Sequence, residues 1–532
     1  MGAPAPTHAA PHVVVIGAGM GGLASAIRLA ASGVRVSVLE ARREAGGKMR
    51  TLPSAAGPVD AGPTVLTMPW VFEDLFAAAG ARLSERVRLI RQPLIARHWW
   101  PDGSRLDLTD DAATNAALIR DFAGAKAEAG YRRFERTSAA LMAAFEGPVI
   151  RAARPQIGAI AAAAARAPAA WPALLAGRSL GGLLRDHFRD PRLAQLFARY
   201  ATYVGGHPGR TPAVLALIWQ AERAGVHAVQ GGMGALAEAL ATLAQEAGAE
   251  IRLGAPVARI LCEGGRACGV ELAGGERIAA SAVVFNGDPA GFGQGLLGAG
   301  VRGAVPRRSV APRSLSAWVW AFAARPGGRA GADLVHHNIF FGADPAAEFG
   351  PIAKGRMPED PTLYVCAQDR GLGAAHPGAT DPGDAERFEI IMNAPPVRGA
   401  AEREEQKCRT RTFATLSRMG LTFAPEPEAR SLTAPPDFAR LHPGSDGSLY
   451  GRSPHGTAAT FLRPGARTRV RGLYLAGGGV HPGAGVPMAT LSGRHAAEAI
   501  LTDLALPSTS RPTAMRGGMS TAFPTTGGAP SR

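Results

Sequence analysis

Val13-Val14-Val15-Ile16-Gly17-Ala18-Gly19-Met20-Gly21-Gly22 decides the fold of this 532-residue chain. The β-branched run reads as a buried strand and the glycines as a tight turn. Residues 23–31 carry a helical pattern that Gly33 stops, and residues 34–39 read as a second strand ending at Glu40. A strand, a glycine turn, a helix and a second strand closed by an acid make one dinucleotide-binding βαβ unit. The GxGxxG pattern alone is weak in a chain with 68 glycines, and its place between strand and helix supplies the specificity. Gly17 permits the turn, Gly19 lets backbone approach a pyrophosphate, and Gly22 permits close helix–strand packing. The helix N-terminus offers free N–H groups, and Glu40 can accept ribose hydroxyl protons.

Working outward, Glu40-Ala41-Arg42-Arg43-Glu44-Ala45-Gly46-Gly47-Lys48 places a glycine pair and a base after the ribose-binding acid. It resembles the extended fingerprint of the amine-oxidase-like flavoproteins, which implies FAD as the cofactor. Gly47 then lies on a loop returning to the pyrophosphate, whose charge Lys48 or Arg50 offsets. Next comes Asp60-Ala61-Gly62-Pro63-Thr64-Val65, which is similar to the segment after that fingerprint in bacterial carotenoid desaturases of the phytoene desaturase type. The resemblance places Gly62, Thr64 and Val65 close to the isoalloxazine.

Two later stretches extend the likeness. Gln230-Gly231-Gly232-Met233-Gly234-Ala235-Leu236 followed by Ala255-Pro256-Val257 resembles the family's returning helix and strand, with a backbone contact to adenine placed at Val257. Residues 282–288 (AVVFNGD) resemble the strand closing that region. Near the C-terminus, Gly477-Gly478-Gly479-Val480-His481-Pro482-Gly483-Ala484-Gly485-Val486-Pro487-Met488 is similar to the desaturases' terminal signature, which lacks the Asp that many related flavoproteins carry there. Gly478 and Gly479 would let backbone run against the flavin. Val486 leads into a helix beginning near Met488, which would turn its positive end toward the ring and stabilise the anionic reduced flavin. His481, the one titratable group of that loop, is a candidate proton acceptor or a turn residue bonded to backbone.

Three more segments resemble the hydroxycarotenoid 3,4-desaturase branch: 57–67 (GPVDAGPTVLT), 97–103 (RHWWPDG) and 449–452 (LYGR). The branch implies oxidation at C3–C4 of 1-hydroxy- or 1-methoxyneurosporene and similar acyclic carotenoids. No amino-acid side chain accepts two electrons from such a carbon, so the flavin must. The implied step is hydride transfer from one carbon with proton loss from its neighbour. The electron acceptor stays open among a quinone, oxygen and another carrier. Phytoene is the alternative substrate, and a non-enzymatic prenyl or lipid escort on the same scaffold is a distant alternative.

The fold class expected is α/β: a Rossmann-like FAD-binding domain of the amine-oxidase/phytoene-desaturase type with an inserted mixed α+β substrate domain. The cofactor domain takes residues 12–80, 226–295 and 449–506, and the substrate domain residues 81–225 and 296–448. A lead at 1–11 and a tail at 507–532 are expected to be disordered.

Charge and composition bear on partners. The net charge of +15 comes mostly from arginine, but no zinc-finger spacing, aromatic RNA-binding signature or long basic run accompanies it, which argues against nucleic acid. Cys262, Cys268, Cys366 and Cys408 fit no metal or redox spacing and read as reduced thiols, so no metal site is expected. No signal peptide and no convincing spanning segment stand out. A lipid-soluble substrate calls for peripheral attachment to a membrane surface. The place expected is the cytoplasmic side of the inner or intracytoplasmic membrane. The Ala- and Ile-rich stretch 156–175, flanked by Arg151, Arg154 and Arg178, is the candidate docking surface, with a helix buried in the substrate domain as the alternative.

Overall fold

The computed structural model describes residues 11–372, 384–397, 403–456 and 458–505. The tail expected after residue 506 and nearly all of the lead lie outside the described residues.

Five parallel strands form the central sheet, in the order Leu473–Leu475, Ala282–Phe285, His12–Ile16, Arg35–Leu39, Glu250–Arg252. Val14 pairs with Val283 on one side and Ser37 on the other, and Val284 pairs with Tyr474. A parallel sheet buries both faces, which is why its strands read as continuous β-branched runs. Alternate residues divide between two cores. Val13, Val15 and Val38 pack with helices Met20–Ala31, Met233–Glu246 and Val486–Asp503. Val14, Ile16 and Val283 pack with a three-stranded antiparallel layer, Val257–Glu263, Arg266–Leu272 and Arg277–Ala279. Strands from both termini and from the middle of the chain thus share one sheet.

The first helix begins at Met20, three residues before the hydrophobic pattern does. The early start follows from packing. A Cβ on Gly21 would lie 2.5 Å from the Gly477 nitrogen, and one on Gly493 would lie 2.4 Å from the Gly21 carbonyl oxygen. Backbone therefore meets backbone where the first and last helices cross, and no side chain fits between them.

A second, mixed sheet carries the rest of the chain. Its order is Thr422–Ala424, Ser316–Gly327, Glu386–Ala394, Leu363–Ala367, His337–Phe340, Leu94–Trp99, Arg105–Thr109. The last pair forms a hairpin, with Trp99 opposite Arg105. One face of this sheet is apolar: Trp318, Trp320, Phe340, Leu363, Val365, Phe388, Ile390 and Met392 pack with Cys408 and Leu416 of helix Glu405–Arg418. The helical region lies at residues 112–223, where Asp111 caps Ala112–Ala123 by accepting from the Thr114 N–H at 2.7 Å.

Asp60 ties the layers together. Its carboxylate accepts from the Met233 N–H at 2.7 Å and the Gly234 N–H at 3.2 Å, capping helix Met233–Glu246 from far away in sequence. Its own backbone exchanges two 3.0 Å hydrogen bonds with the Gln368 side chain of the second sheet. Asp60→Ala would strand two buried donors, at a cost of about 1–3 kcal/mol. We expect a Tm several degrees lower in thermal denaturation of the variant, with Asp60→Asn losing less because its amide oxygen still accepts.

Candidate cofactor site

The carboxyl ends of the central strands converge on the glycine turn, the place where open α/β sheets bind ligands. Gly17 has φ +99°, and its N–H donates to the Leu39 carbonyl at 2.8 Å, which closes the turn. A Cβ on Gly22 would sit 2.1 Å from the Gly17 carbonyl oxygen. Gly19 lies under Gly47, where a Cβ on Gly47 would approach the Gly19 Cα to 3.0 Å.

Glu40 is buried and already half engaged. One oxygen accepts from the Ala18 N–H at 2.7 Å and the other from the Arg42 N–H at 2.9 Å. A carboxylate has about four lone-pair positions, so two remain to receive a ribose diol. The Ala255 N–H bonds the Glu40 carbonyl at 2.8 Å, which brings Val257, first residue of its strand, beside the same site. Asn286, at the end of the neighbouring strand, fills the space against Gly19, Gly21 and Gly477, and its Oδ1 has no hydrogen-bond partner among the described residues. A cradle walled by glycines, with a half-satisfied carboxylate beside it, fits the ribose and pyrophosphate of a dinucleotide.

The C-terminal loop supplies the other end. A Cβ on Gly479 would meet the Pro289 ring at 2.9 Å, and a Cβ on Gly451 would lie 2.9 Å from the Gly479 Cα. Arg463 holds the loop by donating to the Gly478 carbonyl at 3.0 Å. Helix Val486–Asp503 starts at buried Val486, with Gly485 at φ +110° as its N-cap and Met488 half-buried on the first core. Lys48 donates to the Leu449 carbonyl, and Arg50 reaches the Thr433 hydroxyl. Burial lowers the Lys48 ammonium to about 8 and the Arg463 guanidinium to about 10, against the opposing pull of Asp288. Asp288 is itself paired with Arg313. This end of the site is therefore ringed by buried positive charge, an arrangement that favours an anion.

Gly62 packs against the Lys48 carbonyl, where a Cβ would come within 2.0 Å. Thr64 is buried, with its hydroxyl 2.7 Å from the Tyr364 hydroxyl, and Val65 packs on the helical core. The His481 ring is buried, stacks on His495 at 6.1 Å, and donates from Nε2 to the Ala152 carbonyl at 2.9 Å. Burial lowers its pKa. Of the two roles foreseen for His481, the structure gives it a backbone partner, one that fastens the loop to the substrate domain.

Asn286, Asp288 and Arg463 were not legible as site residues. Asn286-Gly287-Asp288-Pro289 reads as an ordinary turn, and Arg463 sits in a Pro/Gly break with no pattern around it. Their roles arise from packing between distant segments.

Anionic cofactor favours the charged form of Lys48. FAD affinity of the cofactor-free protein is thus expected to be highest where Lys48 is protonated and to fall as pH rises through about 8. The drop should be on the order of tenfold, measured by flavin fluorescence quenching across pH. Lys48→Met should flatten the profile.

Comparison with known proteins agrees with this geometry. The family model described as flavin containing amine oxidoreductase matches residues 20–308 and 399–501. Hydroxyneurosporene desaturase of Cereibacter sphaeroides is 60% identical over 93% of this chain and 98% of its own length. The same-named proteins of Rhodobacter capsulatus and Rubrivivax gelatinosus are 55% and 44% identical, over 92% and 99% of this chain and 98% and 100% of their own lengths. A phytoene desaturase of Paracoccus is 32% identical over 93% of this chain and 98% of its own length. Among solved structures, an oxidoreductase from Methanosarcina mazei superposes with TM-score 0.57 at 18% identity, covering 92% of this chain and 100% of that one, and so shares the fold. The chain belongs to the flavin-containing amine oxidoreductase family, among its carotenoid desaturases, with FAD as its cofactor.

Proposed function

We propose that the chain is a carotenoid 3,4-desaturase that oxidises 1-hydroxy- or 1-methoxyneurosporene-type polyenes. The observation that carries this reading is the 60% identity to a hydroxyneurosporene desaturase along almost its entire length. Identity to the phytoene desaturases is far lower, 32% for the Paracoccus protein. An intact cradle at both ends of the cofactor site also speaks against a non-enzymatic escort.

FAD supplies the two-electron acceptor that an unactivated C–C bond requires. The chain supplies alignment and exclusion of water. Val65 adds to the helical core of the substrate domain, and Thr64 presents the polar edge beside it. Because the polyene itself stabilises positive charge at the first carbon, no strong base is demanded of His481. Anaerobic incubation of the FAD-loaded protein with hydroxyneurosporene, followed by product analysis, is expected to show desaturation with bleaching of the flavin. Conversion of phytoene alone would overturn the assignment. Adding a quinone or oxygen singly would identify the electron acceptor.

We further propose peripheral attachment to the cytoplasmic side of the inner or intracytoplasmic membrane, through residues 156–175. In support, helix Ile157–Ala165 has no buried residue, and Ile157, Trp171 and Leu175 are 62%, 53% and 61% exposed. The alternative of a buried Ala-rich helix therefore fails for this helix, although Ala170 and Ala173 beyond it are buried. Among the described residues no single helix is long and apolar enough to cross a membrane. This stretch is two helices bent by 104°. Arg154 and Arg166 are exposed beside it, while Arg151 pairs with Glu146 and Arg178 with Asp186. Apolar side chains flanked by cations suit an anionic bilayer surface. Replacing Ile157, Trp171 and Leu175 together by serine should cut co-sedimentation with anionic liposomes by roughly tenfold or more, given the loss of three inserted side chains. Unchanged co-sedimentation would sink the docking surface.

A further inference from the structure

The second sheet has two unlike faces. Strand alternation sends Phe388, Ile390 and Met392 to the apolar face and Glu389 to the inner one. Register then lines up polar residues across the strands. His337 stands opposite Cys366, Cys366 opposite Glu389, and Glu389 opposite Ala321. Glu389 is fully buried, with 0% exposure, and its Oε1 has no hydrogen-bond partner among the described residues. A buried carboxyl left with a bare oxygen costs stability unless something else occupies that oxygen.

The hydrogen bonds behind Glu389 run in one direction. His337 Nδ1 lies 2.8 Å from the Tyr364 hydroxyl, which lies 2.7 Å from the Thr64 hydroxyl. Thr64 donates to Glu389 Oε2 at 3.4 Å. With the Thr64 proton committed to Glu389, Tyr364 must donate to Thr64 and His337 to Tyr364. Oε2 is the acceptor end of this chain, and Oε1 is left facing away from it. Such a chain polarises each successive donor. Burial also raises the Glu389 carboxyl well above the usual carboxylate range, with the Asp60 charge acting in the same sense. Both effects favour the protonated acid, opposed by the Arg50 charge, and a proton on Oε1 lets the group donate from that oxygen.

Its position points to the substrate's polar end. Glu389 acts electrostatically on Arg50, Asp60 and Tyr450. Tyr450 precedes Gly451, which touches Gly479 of the C-terminal loop, so the acid, bonded to Thr64, is within electrostatic reach of the segment that leads to that loop. In a 1-hydroxylated polyene only two bonds separate the oxygen-bearing carbon from the first reacting carbon at C3. Whatever binds that oxygen must therefore flank the reaction centre.

We propose that Glu389 is the specificity-determining residue for oxygenated polyenes, hydrogen-bonding the C1 oxygen through Oε1 while Thr64 and Tyr364 hold its carboxyl in place. The inference rests on the substrate reading given above and assigns that substrate's oxygen a place. A neutral acid donates equally to an alcohol and to a methyl ether, so both end groups are accepted. A hydrocarbon end group leaves the donor unpaired and is disfavoured.

The test uses the FAD-loaded full-length protein and its Glu389→Leu, Glu389→Gln and Tyr364→Phe variants. kcat and KM are measured on hydroxyneurosporene and on the same polyene without the hydroxyl, together with flavin content. In Glu389→Leu the preference in kcat/KM for the hydroxylated polyene is expected to fall roughly tenfold or more, chiefly through KM. Glu389→Gln, whose amide still donates, should keep most of it. Tyr364→Phe, which cuts the chain behind the acid without removing it, should lose it several-fold and decides the matter if the leucine variant does not fold. Equal losses on both polyenes, or an unchanged preference, would overturn the proposal. Loss of FAD from Glu389→Leu would also overturn it, by reassigning the acid to the flavin. A parent protein with no preference for the hydroxylated polyene would instead overturn the substrate reading itself.

Discussion

The structure depends on one steric constraint: no side chain can stand between the first turn of helix Met20–Ala31 and the backbone at Gly477 and Gly493. A methyl group at Gly21 or Gly493 would force backbone apart within a layer packed to the density of an organic crystal. That contact fixes where the C-terminal loop arrives relative to the N-terminal glycine turn. The distance between the phosphate cradle and the flavin loop follows from it. So does the position of the substrate sheet, which is tied to helix Met233–Glu246 through Asp60 and Gln368.

Charge is distributed along that frame with a consistent logic. Near the adenosine end one carboxylate, Glu40, is steadied by backbone N–H groups and keeps lone pairs to offer. Near the flavin end the excess is cationic, with Lys48 and Arg463 buried and only partly compensated by Asp288. Burying cations is unfavourable alone, and it is tolerated where an anion is destined to lie among them. The substrate side is different again. Its polar groups are arranged in a donor chain, which suits an uncharged oxygen in an apolar surrounding.

The cofactor half was legible from local spacing. Gly17, Gly19, Gly22 and Glu40 stand at offsets that only a strand–turn–helix–strand unit brings together, and the structure places them around one cradle. The two neighbouring strands at the start of the parallel sheet could likewise be read from residue patterns. Helix starts were less legible, because glycines inside the first turn of the first helix look like loop until Gly477 explains them. Asp60 illustrates a subtler gap. Its segment was read for its place beside the flavin, yet its carboxylate caps a helix from another part of the chain. Glu389 was invisible, since one acid in an otherwise apolar strand acquires meaning only from the strands aligned beside it. Spacing encodes neighbours along the chain, whereas register between distant strands is settled by the packing of whole faces.

The discontinuous central sheet has a consequence for synthesis. Ala282–Phe285 joins His12–Ile16 on one side, but its other side is covered only by Leu473–Leu475. While the ribosome is producing the substrate domain, the cofactor sheet carries a bare parallel edge of Val283, Val284 and Phe285, with its hydrogen-bonding groups unpaired. The growing chain is thus an adhesive intermediate until its last strand emerges. A nonsense mutation ahead of Leu473 leaves a polypeptide prone to self-association, and the two halves of the gene cannot be separated into independently folding modules.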